Sequence, residues 1–163
     1  MHSSVYEWVR EVVTEHNLAG RSTIEIGSGI INGTIRDHFT GSYTGVDLGP
    51  GNGVDRVEDS EHLSDGNNYW ANVVSTEMLE HCLHPWRAVR EMARICQRGG
   101  HVLLTARGFD QRGCWEPHGY PVDAYRYSEL SMRTLAEDAG LEVLECSADP
   151  EGPGWLLHAV KPV

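Results

Sequence analysis

The sequence predicts a three-layer α/β sandwich on a seven-stranded, mainly parallel sheet closed by an antiparallel hairpin. Three observations carry this. Short apolar runs bounded by turn residues alternate with amphipathic stretches at helical spacing, as strand–helix–strand units require. A glycine-bearing turn, Gly27-Ser28-Gly29, follows directly on the first apolar run. The last two apolar runs are separated only by Pro150-Glu151-Gly152-Pro153-Gly154, so they read as a hairpin.

Ser4 and Glu7 fit a capping box, and Val5, Trp8, Val9, Val12 and Val13 then recur at helical spacing, giving a first helix to about residue 17. Residues 23–26 are the first strand, and a helix is expected over 30–39, after the glycine turn. Residues 42–47 form a second strand ending in Asp47. The loop 49–53 leads to a short third strand at 54–57 and a short helix around 61–65. Residues 71–75 are a fourth strand. Pro85 opens a helix in which Trp86, Val89, Met92, Ala93 and Cys96 share a face, and Gly99-Gly100 ends it. Residues 101–106 are a fifth strand, and 107–127 are a loop long enough to suggest function. Ser128 caps a helix carrying Met132, Leu135, Ala136 and Ala139, with Gly140 at its end. Strands at 142–148 and 155–160 close the sheet.

A chain of 163 residues makes one domain, 1–163, with room for a real core and none for a separate substrate domain. No apolar run is long enough to span a membrane, and no signal peptide precedes the first helix. Cys82, Cys96, Cys114 and Cys146 show no C-x-x-C spacing, which suits reduced thiols in the cytoplasm. A formal charge of −11 without a Lys/Arg cluster disfavours nucleic acid as partner and leaves a small-molecule acceptor, or a partner protein, as the expectation.

The stretch 23–33 discriminates between cofactors. A dinucleotide fingerprint needs Gly-x-Gly-x-x-Gly, and here the third glycine slot is Asn32. Glu25 stands where a phosphate pair would be repelled, whereas S-adenosyl-L-methionine (SAM) carries an ammonium and a sulfonium and tolerates a carboxylate. An NAD-linked oxidoreductase is therefore the weaker expectation. Asp47 follows about twenty residues on, and one carboxylate can accept hydrogen bonds from two vicinal ribose hydroxyls.

Together these residues resemble the class I SAM-dependent methyltransferases, especially the small methyltransferase-domain group, over nearly the whole chain. Glu25-Ile26-Gly27-Ser28-Gly29 is similar to the first motif of that family, which cradles the methionine part of SAM. Asp47 and Leu48 match the end of its second strand, which binds the ribose, and Asp59-Ser60 sits where an acidic-plus-small pair holds the adenine. Asp55, Glu58 and Glu61 offer other registers for that pair. Residues 75–81, Ser-Thr-Glu-Met-Leu-Glu-His, are similar to the segment after its fourth strand, adding Ser75 and Thr76 to the implied cofactor shell. Arg94-Ile95-Cys96-Gln97-Arg98-Gly99-Gly100 resembles the helix-to-fifth-strand turn, and residues 118–127 a histidine–aspartate–aromatic–arginine segment. The chain departs from the family at Ile31, where a third glycine is usual, at Ala71, where an acid is common, and at Arg98, where proline is usual. The resemblance implies a Rossmann-like fold and methyl transfer, with SAM as cofactor.

Glu77, Glu80 and His81 would share a face if their segment turns helically. That pattern resembles the metal-dependent O-methyltransferases, including the small-RNA 2′-O-methyltransferases. It makes Glu77, Glu80, His81 and, from the long loop, His118 candidate ligands for Mg²⁺ or another divalent ion that would lower the pKa of an acceptor hydroxyl. Without metal, His81 or His118 is the candidate general base. The remaining histidines read as surface or structural. Trp115, Tyr120, Tyr125 and Tyr127 either wall an acceptor pocket or pack the loop onto the sheet, and Arg107, Arg112 or Arg126 would meet an anionic group. The expected activity is methylation of an oxygen on a small molecule or sugar. The alternatives are a metal-dependent RNA 2′-O-methyltransferase and a non-catalytic SAM-binding module working with a partner.

Overall fold

The computed structural model of the protein describes residues 2–109 and 123–163. Its strands are β1 (Thr23–Ile26), β2 (Tyr43–Asp47), β3 (Arg56–Val57), β4 (Trp70–Ser75), β5 (Cys96–Arg107), β6 (Glu142–Ala148) and β7 (Gly154–Val160), and its α-helices are α1 (Ser3–Glu15), α2 (Pro85–Ile95) and α3 (Glu129–Asp138). They form one sheet in the order β3-β2-β1-β4-β5-β7-β6. Pairing is parallel from β3 through β5, and β7 is antiparallel to both β5 and β6. The expected sandwich with its closing hairpin is therefore present. The strand order reverses between β1 and β4, and in open α/β sheets ligands bind in the crevice outside such a switch point.

Two apolar layers cover the sheet. α2 and α3 pack Val89, Met92, Ile95, Met132 and Ala136 against β1, β4, β5 and β7. On the opposite face, α1 buries Val5, Trp8, Val9, Val12 and Val13 against Val74, Leu103 and Leu156. Each fully buried aliphatic side chain there contributes about 1.5–3 kcal/mol. β1 is buried at every position, as a strand covered on both faces must be.

The helix expected over 30–39 is not formed. The stretch is irregular apart from one 3₁₀ turn at Arg36–His38. Ile30, Ile31, Thr34 and Ile35 are β-branched, and Asn32-Gly33 interrupts them with Gly33 at φ +135°. Ile30 N–H donates to the Asn52 carbonyl (2.8 Å) instead of starting a helical ladder. Ile35 and Phe39 nonetheless fill the core under α1, so the burial is kept and the helix is not. The short helix expected around 61–65 is likewise a turn, closed by His62 N–H to the Asp59 carbonyl (2.9 Å).

Three smaller corrections concern helix ends. α1 starts at Ser3 and has no side-chain cap at His2, so the Ser4–Glu7 capping box is absent. Acids from the β6–β7 turn serve instead: Ser3 Oγ reaches Glu151 at 2.6 Å, Ser4 N–H donates to Glu151 (3.1 Å), and Ser4 Oγ donates to Asp149 (2.5 Å). Carboxylates there also complement the helix dipole. α2 ends at Ile95, before Gly99-Gly100, and β5 begins at Cys96. Lys161 Nζ stops the helix by donating to the carbonyls of Ala93 (2.7 Å) and Cys96 (3.0 Å). Trp86 is 41 % exposed and does not join the buried face. Ser128, by contrast, forms a capping box with Ser131.

At the sheet end remote from the switch-point crevice, His101 Nδ1 and His158 Nε2 lie 2.8 Å apart, with the rings stacked and His16 alongside. Burial, then neighbouring His charge and, for His101, the charge of Arg21, lowers both pKa values from 6.5 to about 4. The unfolded chain thus binds more protons between these values, and stability carried by the neutral rings is lost as pH falls from 6.5 toward 4. Replacing His158 with Gln removes one such ring. The wild-type advantage over His158→Gln is expected to shrink by roughly 2 kcal/mol between about pH 7.5 and 4.5 in thermal unfolding. A pH-independent difference would show that the rings are not held neutral.

Candidate functional site

β1, β2 and β4 end on the same side of the sheet, and a cavity of about 780 Å³ opens there. Glu25, Gly27, Ser28, Gly29, Asp47, Leu48, Asp59, Ser60 and Thr76 line it, as do Glu77, Glu80 and His81. Ser75 does not. It is fully buried and its Oγ donates to the Ile26 carbonyl (2.8 Å), stapling β4 to β1 beneath the cavity. His118 lies outside the described residues.

Close backbone approach explains the glycines. Gly27 has φ +82°, and a Cβ there would come within 2.6 Å of Met78 Cγ. A Cβ on Gly45 in β2 would meet the Gly53 carbonyl at 2.1 Å and Ser28 Oγ at 2.6 Å. The turn 27–29 and the loop 49–53 therefore pack on each other across β2. Asp55 locks this unit, accepting from Gly45 N–H (2.7 Å) and from Arg36 (2.9 Å). Asp47 closes it at the cavity: one carboxylate oxygen accepts from Gly29 N–H (2.9 Å), the other from Leu48 N–H (2.7 Å). Asp59 accepts from Glu61 N–H (2.9 Å), and Ser60 is buried beside Cys82.

Glu25 is buried in mid-strand with Tyr43 O–H donating to it (2.7 Å). Burial raises its pKa from 4.5 to about 7, outweighing the Tyr43 hydrogen bond and the charge of Arg36. Beyond β4, Glu77 sits at φ +52°, a left-handed conformation that non-glycine residues adopt at a cost of about 1–2 kcal/mol. Its N–H donates to Thr105 and its carboxyl accepts from Thr105 Oγ1 (3.1 Å). Glu80 follows in the single 3₁₀ turn Leu79–His81, 1 % exposed. Burial and the neighbouring charge of Glu77 raise its pKa from 4.5 to about 8.

This backbone departs from the helix that would put Glu77, Glu80 and His81 on one face. Among the described residues, no group of three His, Cys, Asp or Glu is placed to hold a metal ion. As placed, Glu77, Glu80 and His81 do not gather as the donor set expected for Mg²⁺, since Glu77 is turned to Thr105 and the segment is not helical; the fourth expected ligand, His118, lies outside the described residues. Gly27 and Gly29, by contrast, do line the cavity as expected.

Of the two roles the sequence leaves open for the aromatics, Tyr127 and Tyr125 take the packing one. Tyr127 O–H donates to the Leu79 carbonyl (2.9 Å) and Tyr125 O–H to the Leu83 carbonyl (3.1 Å). Arg126 pairs with Asp123 through two bonds, 2.5 and 2.9 Å. Trp115, Tyr120, Arg112 and Cys114 fall outside the described residues. Arg107 does line the cavity. So does His2, which reads from the sequence as surface or structural. The tie between α1 and the β6–β7 turn brings it there, and no local motif signals it.

The family model for the methyltransferase domain matches residues 6–146. The chain belongs to that family, the SAM-dependent methyltransferases of class I. No curated protein matches the sequence. Among solved structures, the Burkholderia thailandensis 1,6-didemethyltoxoflavin-N1-methyltransferase, holding 1,6-didemethyltoxoflavin and S-adenosylhomocysteine, has a TM-score of 0.77 at 12% identity, covering 98% of this chain and 79% of the other. A chain in the Haloferax volcanii complex of the Trm112 methyltransferase activator with a candidate methyltransferase gives 0.69 at 18% identity, covering 99% and 97%. The [4+2]-cyclase SpnF gives 0.76 at 15% identity, covering 97% and 82%. The methyltransferase fold thus also carries other chemistry, and residues of the site must supply the rest of the argument.

Two outcomes follow from this geometry. Gly27→Ala forces a Cβ against Met78 at positive φ, and is expected to lower the thermal midpoint and to weaken S-adenosylhomocysteine at least about tenfold in calorimetry. Glu25 destabilises the folded state as pH rises from 4.5 to 7, because its carboxyl ionises freely in the unfolded chain while burial keeps it protonated in the fold. Glu25→Gln should therefore be more stable than wild type by on the order of 2 kcal/mol at about pH 8 and equal to it below about pH 4.5, by chemical denaturation.

Proposed function

We propose that this methyltransferase moves the methyl group of SAM to a hydroxyl oxygen of a small molecule or sugar. The observation that carries this is one cavity in which Gly27, Gly29, Asp47 and Asp59 lie toward the ends of β1–β3, and Glu77, Glu80 and His81 gather beyond β4. In this reading Gly27–Gly29 cradles the methionine part, Asp47 accepts from the ribose hydroxyls, and Asp59-Ser60 flanks the adenine, with Glu25, Leu48 and Thr76 completing the shell. SAM supplies an electrophilic methyl carbon. The chain's own task is to align the acceptor oxygen with it and to exclude water, the proximity effect on which in-line displacement depends. His81 takes the acceptor's proton, histidine having a suitable intrinsic pKa.

The acid-lined cavity and the net charge of −11 support a small acceptor over RNA. A second reading has the chain work only with a partner protein. It is favoured by exposed Ile31, Leu48 and Val57 near the two-residue edge strand β3, and by the likeness to a chain from an activator complex. Buried free thiols at Cys82, Cys96 and Cys146 suit the cytoplasm in either case.

Calorimetry with SAM, S-adenosylhomocysteine and NAD tests the proposal. The first two should bind the isolated chain and NAD should not. Asp47→Ala is expected to weaken S-adenosylhomocysteine by about 10–100-fold, the range for a hydrogen bond to a charged group. His81→Gln should lower methyl transfer while leaving that affinity within about twofold. No binding by the isolated chain, restored on adding a partner, would favour the second reading.

A further inference from the structure

Of the carboxyl groups that line the cavity, six are satisfied by this chain. Glu25 accepts from Tyr43, Asp47 from Gly29 and Leu48, Glu58 from Ser64, Asp59 from Glu61 N–H and Glu77 from Thr105, while Glu61 contacts His84. Glu80 differs: the backbone N–H groups of Glu80 and Arg107 reach its carboxyl, but one of its oxygens is left over. Its side chain is buried, it lines the cavity, and its Oε2 has no hydrogen-bond partner among the described residues. Buried polar oxygens are almost always paired, so an orphan asks for an explanation in function.

The backbone around Glu80 is fixed from three sides. The turn is closed by His81 N–H to the Met78 carbonyl (2.9 Å) and Cys82 N–H to the Leu79 carbonyl (3.2 Å). Leu79 is fully buried, with Tyr127 O–H on its carbonyl. The Glu80 carbonyl accepts from Ala124 N–H (2.8 Å) and Tyr125 N–H (3.3 Å). A carboxyl on so constrained a main chain keeps its place facing the cavity. Seven carboxyl groups line the cavity against Arg107, the only Lys or Arg among the described lining residues, and Arg126 also acts on Glu80 from outside that lining.

We infer that Glu80 Oε2 is the seat for a hydrogen-bond donor of the methyl acceptor, and that the acceptor is therefore a neutral or cationic hydroxyl compound, not a phosphorylated or carboxylated one. This rests on the methyl-transfer reading above and narrows it. An O–H or ammonium N–H completes the orphan oxygen, whereas an anionic group would enter a cavity lined by seven carboxyl groups, with Arg107 on the lining and Arg126 near the Glu77–Glu80 pair to offset them.

Two matched series test the charge rule, both with methyl-labelled SAM as donor: catechol, dopamine and 3,4-dihydroxybenzoate, and glucose, glucosamine and glucose 6-phosphate. Within a series that is methylated, or that binds in the presence of S-adenosylhomocysteine by saturation-transfer NMR, the neutral or cationic member should exceed the anionic one at least about tenfold. Glu80→Gln keeps the size of the side chain and replaces one carboxyl oxygen by an N–H donor. It should leave S-adenosylhomocysteine affinity within about twofold and the thermal midpoint unlowered, while acceptor binding or methylation falls at least about thirtyfold. Preference for an anionic member, wild-type behaviour of the variant, or a midpoint lowered by several degrees would each overturn the inference. So would a tenfold loss of S-adenosylhomocysteine affinity, which would assign Glu80 to the cofactor. Failure of wild type to bind SAM or S-adenosylhomocysteine would instead bring down the proposed function itself.

Discussion

Parallel pairing of β1 on both sides is the constraint from which the site follows. A strand paired to β2 on one edge and β4 on the other must end beside both, so Gly27, Asp47 and Thr76 converge without any loop having to search for them. The chain can then leave β1 only by turning over the top of β2. Gly45 makes room for that path, because its missing Cβ is the space that Ser28 Oγ and the Gly53 carbonyl occupy. Asp47 holds the result in place through Gly29.

Charge is distributed unevenly around this frame. Away from the cavity, acids serve structure: Asp149 and Glu151 hold the start of α1, Asp65 binds Arg56, and Glu91 orients Arg94, whose guanidinium also reaches the Leu63 and Asp65 carbonyls. Around the cavity they crowd together in partial burial, which costs stability when they ionise. Such sites are retained where a ligand completes them. The left-handed Glu77 backbone belongs to the same pattern, local strain at the residue that turns the chain from β4 toward the acceptor side.

Much of this was legible in the sequence because it depends on local signals. The alternating apolar runs located every strand, and Gly27, Asp47 and the Ser128 cap were readable from residue type and spacing. What was not legible depended on distant partners. The run after Gly29 reads as a helix opened by the glycine turn, but Ile30-Ile31-Asn32-Gly33 has poor helix propensity and its first N–H goes to Asn52. Ser4 looked like a cap for Glu7, yet its hydroxyl binds Asp149, far along the chain. Glu77, Glu80 and His81 had helical spacing, but Thr105 draws Glu77 out of that register. His2 reaches the cavity only because α1 is tied to the β6–β7 turn.

The irregular path after Gly29 also sets what the cavity can accept. A helix beginning there would present several unpaired N–H groups and roughly half a positive charge, the feature to which pyrophosphates bind. Here Gly29 N–H is already taken by Asp47 and Ile30 N–H by Asn52. The mouth of the cavity therefore has little to offer an anion. The carboxyl groups lining the cavity and the scarcity of free backbone N–H donors at its mouth together fix the sign of the field that a charged ligand meets there.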